Sequence, residues 1–423
     1  MTTEERHLVC GENMSGENLD IVGHRIAQEI SLRQAESPLK PALILDNLSL
    51  TRTELENQAR QLADYLQKRG LKKGDHVGLA LARTIEMVPM LLALMKVGAV
   101  IVPLDPLTPK LRCQHILSTA KLKLLITNGS DYAILDVCRE KAISIINVEK
   151  EAKDIAESLS APKAVTVAAD DPLYIIYTSG TTGKPKGALV SNRGSEKHCQ
   201  ACIKAYGLNH EDRVLQFAPI FFDAGLEQIF PALILGATLV VRGEAPWAAT
   251  SFHQKVAEFG LTVLDLPPLY LKELLNYWNR HPESAPRGLR HVLTGGEALP
   301  VEVAKQWLAS PVGDVPLLNV YGPTEAIVTA TLFRVHSNNI NACATASVPI
   351  GRPLPGRILR ILDENGKAVP PGVPGELCIG GECLAEGYYG EPELTAQAFS
   401  FWNDKNEEVG WLKLTFNTLN TKN

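Results

Sequence analysis

A glycine-rich segment, residues 177–187, offers the chemistry of a phosphate-binding loop. It reads YTSGTTGKPKG and follows a run of bulky apolar residues. Its glycines allow the backbone to approach a ligand closely, its hydroxyls can donate hydrogen bonds to phosphate oxygens, and Lys184 and Lys186 can neutralise phosphate charge. It is not a Walker A loop, because Thr178 stands where that motif needs glycine and Pro185 where it needs Ser or Thr. Composition alone leaves open an ordinary surface loop.

A second segment, residues 319–325, reads NVYGPTE and suits a nucleotide. The ring of Tyr321 can stack on a base, and the hydroxyl of Thr324 can bind a phosphate oxygen. The carboxylate of Glu325 can hold Mg²⁺. By itself the Gly-Pro pair would only mark a turn.

Three acidic residues could recognise cations. Asp223 and Glu227 are four residues apart and would share one face of a helix. Asp265 stands inside the apolar run 261–266, where an acid needs a partner or solvent. The alternatives are that Asp223 only caps a helix, that Glu227 faces solvent, and that Asp265 ends a strand.

The elements that would position these residues alternate between strand and helix. Residues 51–54 (TRTE) form a capping box before a helical apolar repeat. After residue 350, prolines and glycines separate short β-like runs. We predict an α/β fold with two doubly wound, helix-covered sheets and a small β-barrel-like subdomain. The predicted divisions are 1–170 and 171–347 for the α/β subdomains, 348–411 for the β-rich subdomain and 412–423 for a tail.

In this order, the motifs resemble the adenylate-forming superfamily, and in particular the amino acid adenylation domains of nonribosomal peptide synthetases. The segment 222–224 (FDA) resembles the motif whose aspartate binds the substrate α-ammonium in that branch, and the likeness covers roughly residues 20–411. It implies ATP-dependent activation of an amino acid to an aminoacyl-adenylate, with Mg²⁺, followed by loading on the phosphopantetheine thiol of a carrier protein. We expect that carrier in trans.

The resemblance also implies residue roles. The nucleotide would be bound by Thr178, Ser179, Gly180, Thr181, Thr182, Gly183, Lys184, Lys186, Gly295, Gly296, Glu297, Asn319, Tyr321, Gly322 and Thr324. Catalysis would fall to Thr324, Glu325 and Lys184, with Glu325 as the metal ligand. The substrate pocket would be lined by Asp223, Glu227, Asp265, Leu293, Gly295, Val320, Val328 and Thr329. We hypothesise a basic amino acid such as lysine or ornithine, with its side-chain ammonium held by Glu227 and Asp265.

The family's ribose-binding aspartate and C-terminal lid domain have no counterpart in the sequence, so we expect a truncated domain with impaired activity. Two alternatives stay open at this point. One is an acyl- or aryl-acid CoA ligase, against which Asp223 argues. The other is a non-catalytic remnant that still binds nucleotide.

Composition excludes other classes. The formal net charge of -5 argues against nucleic-acid binding. No signal peptide and no apolar run of eighteen residues is evident, so we expect a cytoplasmic protein without a membrane span. The eight cysteines are scattered and do not form a disulfide scaffold. His198, Cys199 and Cys202 suggest a metal site, but cysteines on a helix are the simpler interpretation.

Overall fold

The computed structural model describes residues 25–158, 162–179, 184–341, 343, 345–370, 372–404 and 407–413. Gly180, Thr181, Thr182 and Gly183 of the predicted phosphate loop lie outside the described residues, as does the side chain of Ser179.

Helices and strands alternate through most of the chain, as predicted. The helices are α1 (Ile26–Glu36), α2 (Arg52–Lys68), α3 (Met87–Val97), α4 (Lys110–Ala120), α5 (Ala133–Glu140), α6 (Ala152–Ala156), α7 (Asn192–Tyr206), α8 (Asp223–Leu235), α9 (Ala249–Phe259), α10 (Pro268–Trp278), α11 (Val301–Ala309), α12 (Ser337–Asn341) and α13 (Pro392–Ala398). The strands are β1 (Pro41–Leu45), β2 (Leu48–Thr51), β3 (His76–Ala80), β4 (Val100–Pro103), β5 (Leu124–Thr127), β6 (Ser144–Asn147), β7 (Pro172–Ser179), β8 (Pro185–Ser191), β9 (Arg213–Gln216), β10 (Thr238–Val241), β11 (Val263–Leu266), β12 (His291–Thr294), β13 (Leu317–Tyr321), β14 (Thr331–Arg334), β15 (Arg352–Pro353), β16 (Arg357–Leu362), β17 (Glu376–Gly381), β18 (Gly387–Tyr388), β19 (Phe399–Asp404) and β20 (Glu407–Lys413).

Two large, mainly parallel sheets carry the fold. One has the order β15-β14-β13-β12-β11-β9-β10-β1-β2 and the other the order β18-β8-β7-β4-β3-β5-β6. The central strands are continuously apolar; β4, for example, is buried at every position. Strands that are buried on both faces need helices on both sides, and the helices supply that cover. The predicted fold class is therefore confirmed.

Local structures at the ends of helices also form as the sequence predicts. The side chain of Thr51 accepts from the backbone N–H of Glu54, and the Glu54 carboxylate accepts from the Thr51 N–H, which completes the capping box at the start of α2. Several helices end at a glycine with a left-handed conformation, including α7 at Gly207 and α8 at Gly236.

The two large sheets do not follow the predicted division near residue 170. Strands β7 and β8 join the sheet built from β3 to β6, whereas β1 and β2 join the sheet built from β9 to β15. The chain therefore passes from one large sheet to the other three times: after β2, after β8 and, by way of β16 and β17, at β18. Composition does not predict this backbone pairing.

The β-rich part is a four-stranded antiparallel sheet with the order β16-β17-β20-β19. Its apolar face packs Leu359, Ile379 and Leu412 against Ala326 and Ala330, which belong to the segment after β13. This contact joins the small sheet to the functional site described below. Among the described residues, no helix is long and apolar enough to cross a membrane.

Candidate active site

A cavity of about 120 Å³ opens where parallel strands β9, β11, β12 and β13 end. Ligand sites in open α/β sheets lie at the carboxyl ends of strands. The cavity is lined by Phe217, Ala218, Asp223, Ala224, Glu227, Gln228, Asp265, Leu266, Pro267, Gly295, Gly296, Val320, Tyr321, Gly322, Val328 and Thr329. The predicted pocket residues are all among them except Leu293, which is buried inside β12.

Asp223 is the first residue of α8 and faces the cavity. The N-cap is Phe222, which makes no side-chain cap, so the predicted alternative of a capping aspartate does not describe Asp223. Its carboxylate accepts from the Ala224 N–H at 2.9 Å and from Thr324. Burial raises its pKa to about 6, the Thr324 hydrogen bond opposes the rise, and the nearby charge of Glu227 adds to it. An ionised Asp223 would be stabilised by a cation in the cavity.

Glu227 is one turn further along α8, and its carboxylate is almost fully buried, at 8% exposure. Four donors surround it: Tyr206 Oη at 2.9 Å, His198 Nε2 at 2.8 Å, and the N–H and Oγ1 of Thr329 at 3.3 and 3.1 Å. Burial alone would raise the pKa of Glu227, but these hydrogen bonds outweigh it and hold the pKa below its usual range. The alternative in which Glu227 faces solvent is therefore wrong.

Asp265 lies on β11 and closes another side of the cavity. Its Oδ2 accepts from Gln228 Nε2 at 2.9 Å. Gln228 is held in that orientation because its Oε1 accepts from the backbone N–H groups of Phe217 and Ala218, at 2.7 and 2.9 Å. Burial raises the pKa of Asp265 to about 6, and the charge of Glu227 contributes to the rise.

A second group of polar side chains gathers beside the predicted phosphate loop. Tyr388 Oη donates to Glu325 Oε1 at 2.6 Å, and Lys186 Nζ donates to Tyr388 Oη at 3.4 Å while lying 4.5 Å from the centre of its ring. The short pairing of β18 with β8 brings Tyr388 to this place. Sequence reasoning missed Tyr388, because only the long-range pairing of two strands reveals its contact with both predicted site residues.

The other predicted nucleotide residues that the structure describes occupy different places. Tyr321, Gly322, Gly295 and Gly296 line the cavity, while Lys184 and Glu297 are exposed. Thr178 lies near the end of β7. Asn319 is buried in β13, where its Nδ2 donates to the Pro349 carbonyl at 3.0 Å. This hydrogen bond connects β13 to the segment before β15.

The cluster of His198, Cys199 and Cys202 lies on α7 in the protein interior. Burial raises the pKa of both thiols well above the usual range and lowers the pKa of His198. Donor atoms of His198, Cys202 and Glu227 lie within 4.8 Å of one another. Both the His198 and the Glu227 atoms already have protein partners, which agrees with the simpler interpretation of these cysteines.

Relatives among known proteins share most of this chain. Bacitracin synthase 3 of Bacillus licheniformis is 35% identical over 382 residues, covering 88% of this chain and 6% of that protein. Tyrocidine synthase 1 of Brevibacillus parabrevis is 34% identical, covering 89% of this chain and 33% of that protein. The chain thus spans a third or less of these relatives' length.

Solved structures of adenylation domains have a similar fold. The N-terminal subdomain of NpsA from Klebsiella oxytoca, in complex with 3-hydroxybenzoyl-AMSN, superimposes with a TM-score of 0.82 at 26% identity, covering 92% of this chain and 95% of that one. An artificially fused adenylation-PCP di-domain, NpsA-ThdA, gives a TM-score of 0.81 at 26% identity, covering 92% and 75%. Over the described residues, the structure matches the N-terminal subdomain of an adenylation domain, and those residues contain no lid domain.

The AMP-binding enzyme family matches residues 31–389, which is most of the chain. The glycine-rich segment, the NVYGPTE segment and the FDA segment all lie inside that match. The predicted resemblance is confirmed: the chain is similar to adenylation domains of nonribosomal peptide synthetases, and it belongs to the AMP-binding enzyme family.

Proposed function

We propose that this chain uses ATP to activate an amino acid as an aminoacyl-adenylate. The observation that carries the proposal is the Asp223 carboxylate, which faces the cavity at the strand ends and is hydrogen-bonded to Thr324. A partly buried carboxylate with a raised pKa is suited to an ammonium group, because the cation restores its ionisation. An acid substrate without an amino group would leave Asp223 unpaired.

In the proposed reaction, a carboxylate oxygen of the amino acid attacks the α-phosphorus of ATP. A new P–O bond forms, the bond to the β-phosphate bridging oxygen breaks, and pyrophosphate leaves with the electron pair. Thr324 and the loop hydroxyls would hold phosphate oxygens, and Lys184 and Lys186 would offset their charge. These roles rest on the family's motifs in the sequence.

Glu325 is suited to Mg²⁺, since a carboxylate oxygen is a hard ligand. Tyr388 fixes one oxygen of this carboxylate through a 2.6 Å hydrogen bond and thereby sets its orientation. Bound Mg²⁺ would neutralise phosphate charge during the reaction.

We further propose a substrate with a second cation, of the lysine or ornithine class. Asp265 supports this, because Gln228 is the one side-chain donor to its Oδ2 among the described residues, and burial raises its pKa. Glu227 contributes differently from our initial hypothesis: four protein donors occupy its oxygens, so its negative charge acts at a distance. Asp265 is then the direct partner of the distal ammonium.

The product would be passed to the phosphopantetheine thiol of a carrier protein. The fused adenylation-PCP protein among the structural likenesses supports a partner of that class. Delivery in trans is part of the proposal.

A second candidate is the activation of an aryl acid. The NpsA subdomain that resembles this chain was solved with 3-hydroxybenzoyl-AMSN and, in another complex, with anthranilyl-AMSN. The apolar members of the cavity wall, such as Val320 and Val328, would suit a ring.

ATP–pyrophosphate exchange on the purified chain separates the two candidates. The panel would contain the common amino acids, ornithine, 3-hydroxybenzoate and anthranilate, with Asp223→Asn as the matched variant. We expect exchange with lysine or ornithine and about tenfold or greater loss in the variant, since a charge-assisted hydrogen bond contributes about 1.5–3 kcal/mol. Exchange with aryl acids that survives in Asp223→Asn would favour the second candidate. Exchange with a neutral apolar amino acid in preference to lysine would contradict the proposal of a basic substrate.

A further inference from the structure

A buried chain of hydrogen bonds links the small antiparallel sheet to the substrate cavity. Arg357, the first residue of β16, is fully buried at 0% exposure, and its Nη2 lies 2.7 Å from His198 Nδ1. His198 Nε2 in turn lies 2.8 Å from Glu227 Oε2. These hydrogen bonds therefore run from the Arg357 guanidinium through the His198 imidazole to the Glu227 carboxylate, which lines the cavity.

The donors fix the protonation state of the imidazole. A guanidinium has only donors, so His198 Nδ1 must accept, and its Nε2 carries the hydrogen that Glu227 accepts. His198 is therefore neutral, and its two hydrogen bonds connect the buried Arg357 cation to the buried Glu227 anion. The groups facing it are Arg357, Glu227 and the Cys202 thiol.

The same arginine holds a strained turn. Ile327 and Val328 have φ values of 52° and 62°, in the left-handed region that β-branched residues rarely adopt. Arg357 Nη2 donates to the Ile327 carbonyl at 3.1 Å and the Ala326 carbonyl at 3.4 Å. Such strain persists only where the surroundings over-determine the backbone.

Thr329, the last residue of this turn, is hydrogen-bonded to Glu227, the last residue of the hydrogen-bond chain. The backbone N–H and Oγ1 of Thr329 both donate to Glu227. The turn also folds tightly over Gly322, where a Cβ would lie 1.9 Å from the Val328 carbonyl oxygen. Arg357 therefore restrains the turn at its beginning directly and at its end through His198 and Glu227.

Val328 and Thr329 line the cavity, so whatever fixes this turn fixes one wall of the substrate site. We infer that Arg357 is a positioning residue for substrate selection, acting through His198, Glu227 and the strained turn 326–329. The inference rests on the proposed function, since it assigns the small sheet a part in shaping the amino acid site.

A metal ion is the competing explanation for His198, Cys202 and Glu227. The guanidinium lies 2.7 Å from His198, and Thr329 and Tyr206 already donate to Glu227. A cation beside a cation is unfavourable in a buried site, so these donors favour the hydrogen-bond chain over a metal ion.

The test compares Arg357→Met, which keeps an unbranched apolar side chain and removes the donors, with Arg357→Lys as the conservative variant. Arg352→Met is the matched control, because Arg352 is exposed on the neighbouring strand β15. In ATP–pyrophosphate exchange we expect Arg357→Met to raise the amino acid KM by about tenfold or more, as expected for loss of a charged hydrogen bond, with the KM for ATP little changed. Arg357→Lys should recover part of the loss.

Two readouts do not depend on turnover. Histidine ¹⁵N spectra, with the His198 signal assigned from its absence in His198→Gln, should show a neutral Nε2–H tautomer in the parent chain that becomes mixed in Arg357→Met. A crystal structure of Arg357→Met should show residues 327–329 displaced. If the parent chain gives no exchange, the proposed function fails, while these two readouts still decide whether Arg357 positions the turn.

Three results would overturn the inference. The first is an unmoved turn and an unchanged His198 tautomer in Arg357→Met. The second is a proportional loss of kcat, both KM values and thermal stability that lysine does not rescue, which indicates a folding role only. The third is stoichiometric zinc in the purified parent chain that is lost in Cys202→Ala.

Discussion

Replacing Asp223 with asparagine should make the protein more stable and less able to bind its amino acid. Burial raises the pKa of Asp223 from 3.8 to about 6. Because the folded chain holds this proton more tightly than the unfolded chain, stability is greatest below pH 4 and declines as the pH rises through 6. Above that range the ionised carboxylate weakens the fold by at most about 3 kcal/mol, at about 1.4 kcal/mol per pH unit of the rise.

Asparagine keeps the acceptor for the Ala224 N–H and removes the buried charge. Relaxation and water entry reduce the full value, so a gain of about 2 kcal/mol at pH 7.5 is reasonable. With an unfolding entropy of about 0.9 kcal/mol/K for a chain of this size, Tm should rise by roughly 2 °C. At pH 5 the advantage should fall to about half, because the native carboxyl is then largely protonated.

Scanning calorimetry at both pH values measures this effect, and calorimetric titration with the amino acid measures the loss of binding. Asp212→Asn is the matched control: Asp212 is buried, accepts from Arg290 Nη1 at 2.5 Å, and lies outside the cavity. That variant should lower Tm at both pH values and leave binding unchanged. The reasoning about Asp223 is refuted if Asp223→Asn lowers Tm at pH 7.5, or if its gain is the same at pH 5.

Three further substitutions test other parts of the site. Asp265→Asn should reduce the preference for lysine or ornithine over leucine by about tenfold in exchange assays, because the distal ammonium loses a charged acceptor; an unchanged preference would contradict a direct contact. Tyr388→Phe should raise the KM for Mg-ATP by about tenfold, because Glu325 loses its 2.6 Å donor, whereas Tyr389→Phe serves as the control and should have little effect. Glu227→Gln should lower the free energy of unfolding by about 3 kcal/mol, since it leaves Arg357 buried without a counter-charge; calorimetry showing equal or higher stability would count against the buried pair.

The segments that we propose for nucleotide binding can be located from the sequence because each is a contiguous motif. The segments around Lys186 and Tyr321 carry their chemistry in their own sequence. Lys186 lies at the start of β8, which is antiparallel to β7, and Tyr321 lies at the end of β13, which is parallel to β12. The position of Asp223 was also predictable, since a short motif places it at the start of a helix.

The partners of Glu227 were not predictable in the same way. Its donors come from α7 and from the turn after β13, and Arg357 reaches the same group from β16. Local spacing indicates that Glu227 shares a helix face with Asp223, but only tertiary packing determines that protein donors already occupy its oxygens. The sequence also did not predict that β1 belongs to the nine-stranded sheet and β7 to the seven-stranded sheet, because each strand pairs with strands that are distant in the sequence.

The central claim is that Asp223 recognises the amino group of the substrate. The most direct measurement is calorimetric binding of a non-hydrolysable lysyl-adenylate analogue and of its counterpart without the α-amino group, to the parent chain and to Asp223→Asn. We predict that the parent chain prefers the amino analogue by about 10- to 100-fold, corresponding to about 1.5–3 kcal/mol, and that the variant binds both analogues equally. Equal binding of the two analogues by the parent chain, or a preference that persists in Asp223→Asn, would contradict the claim.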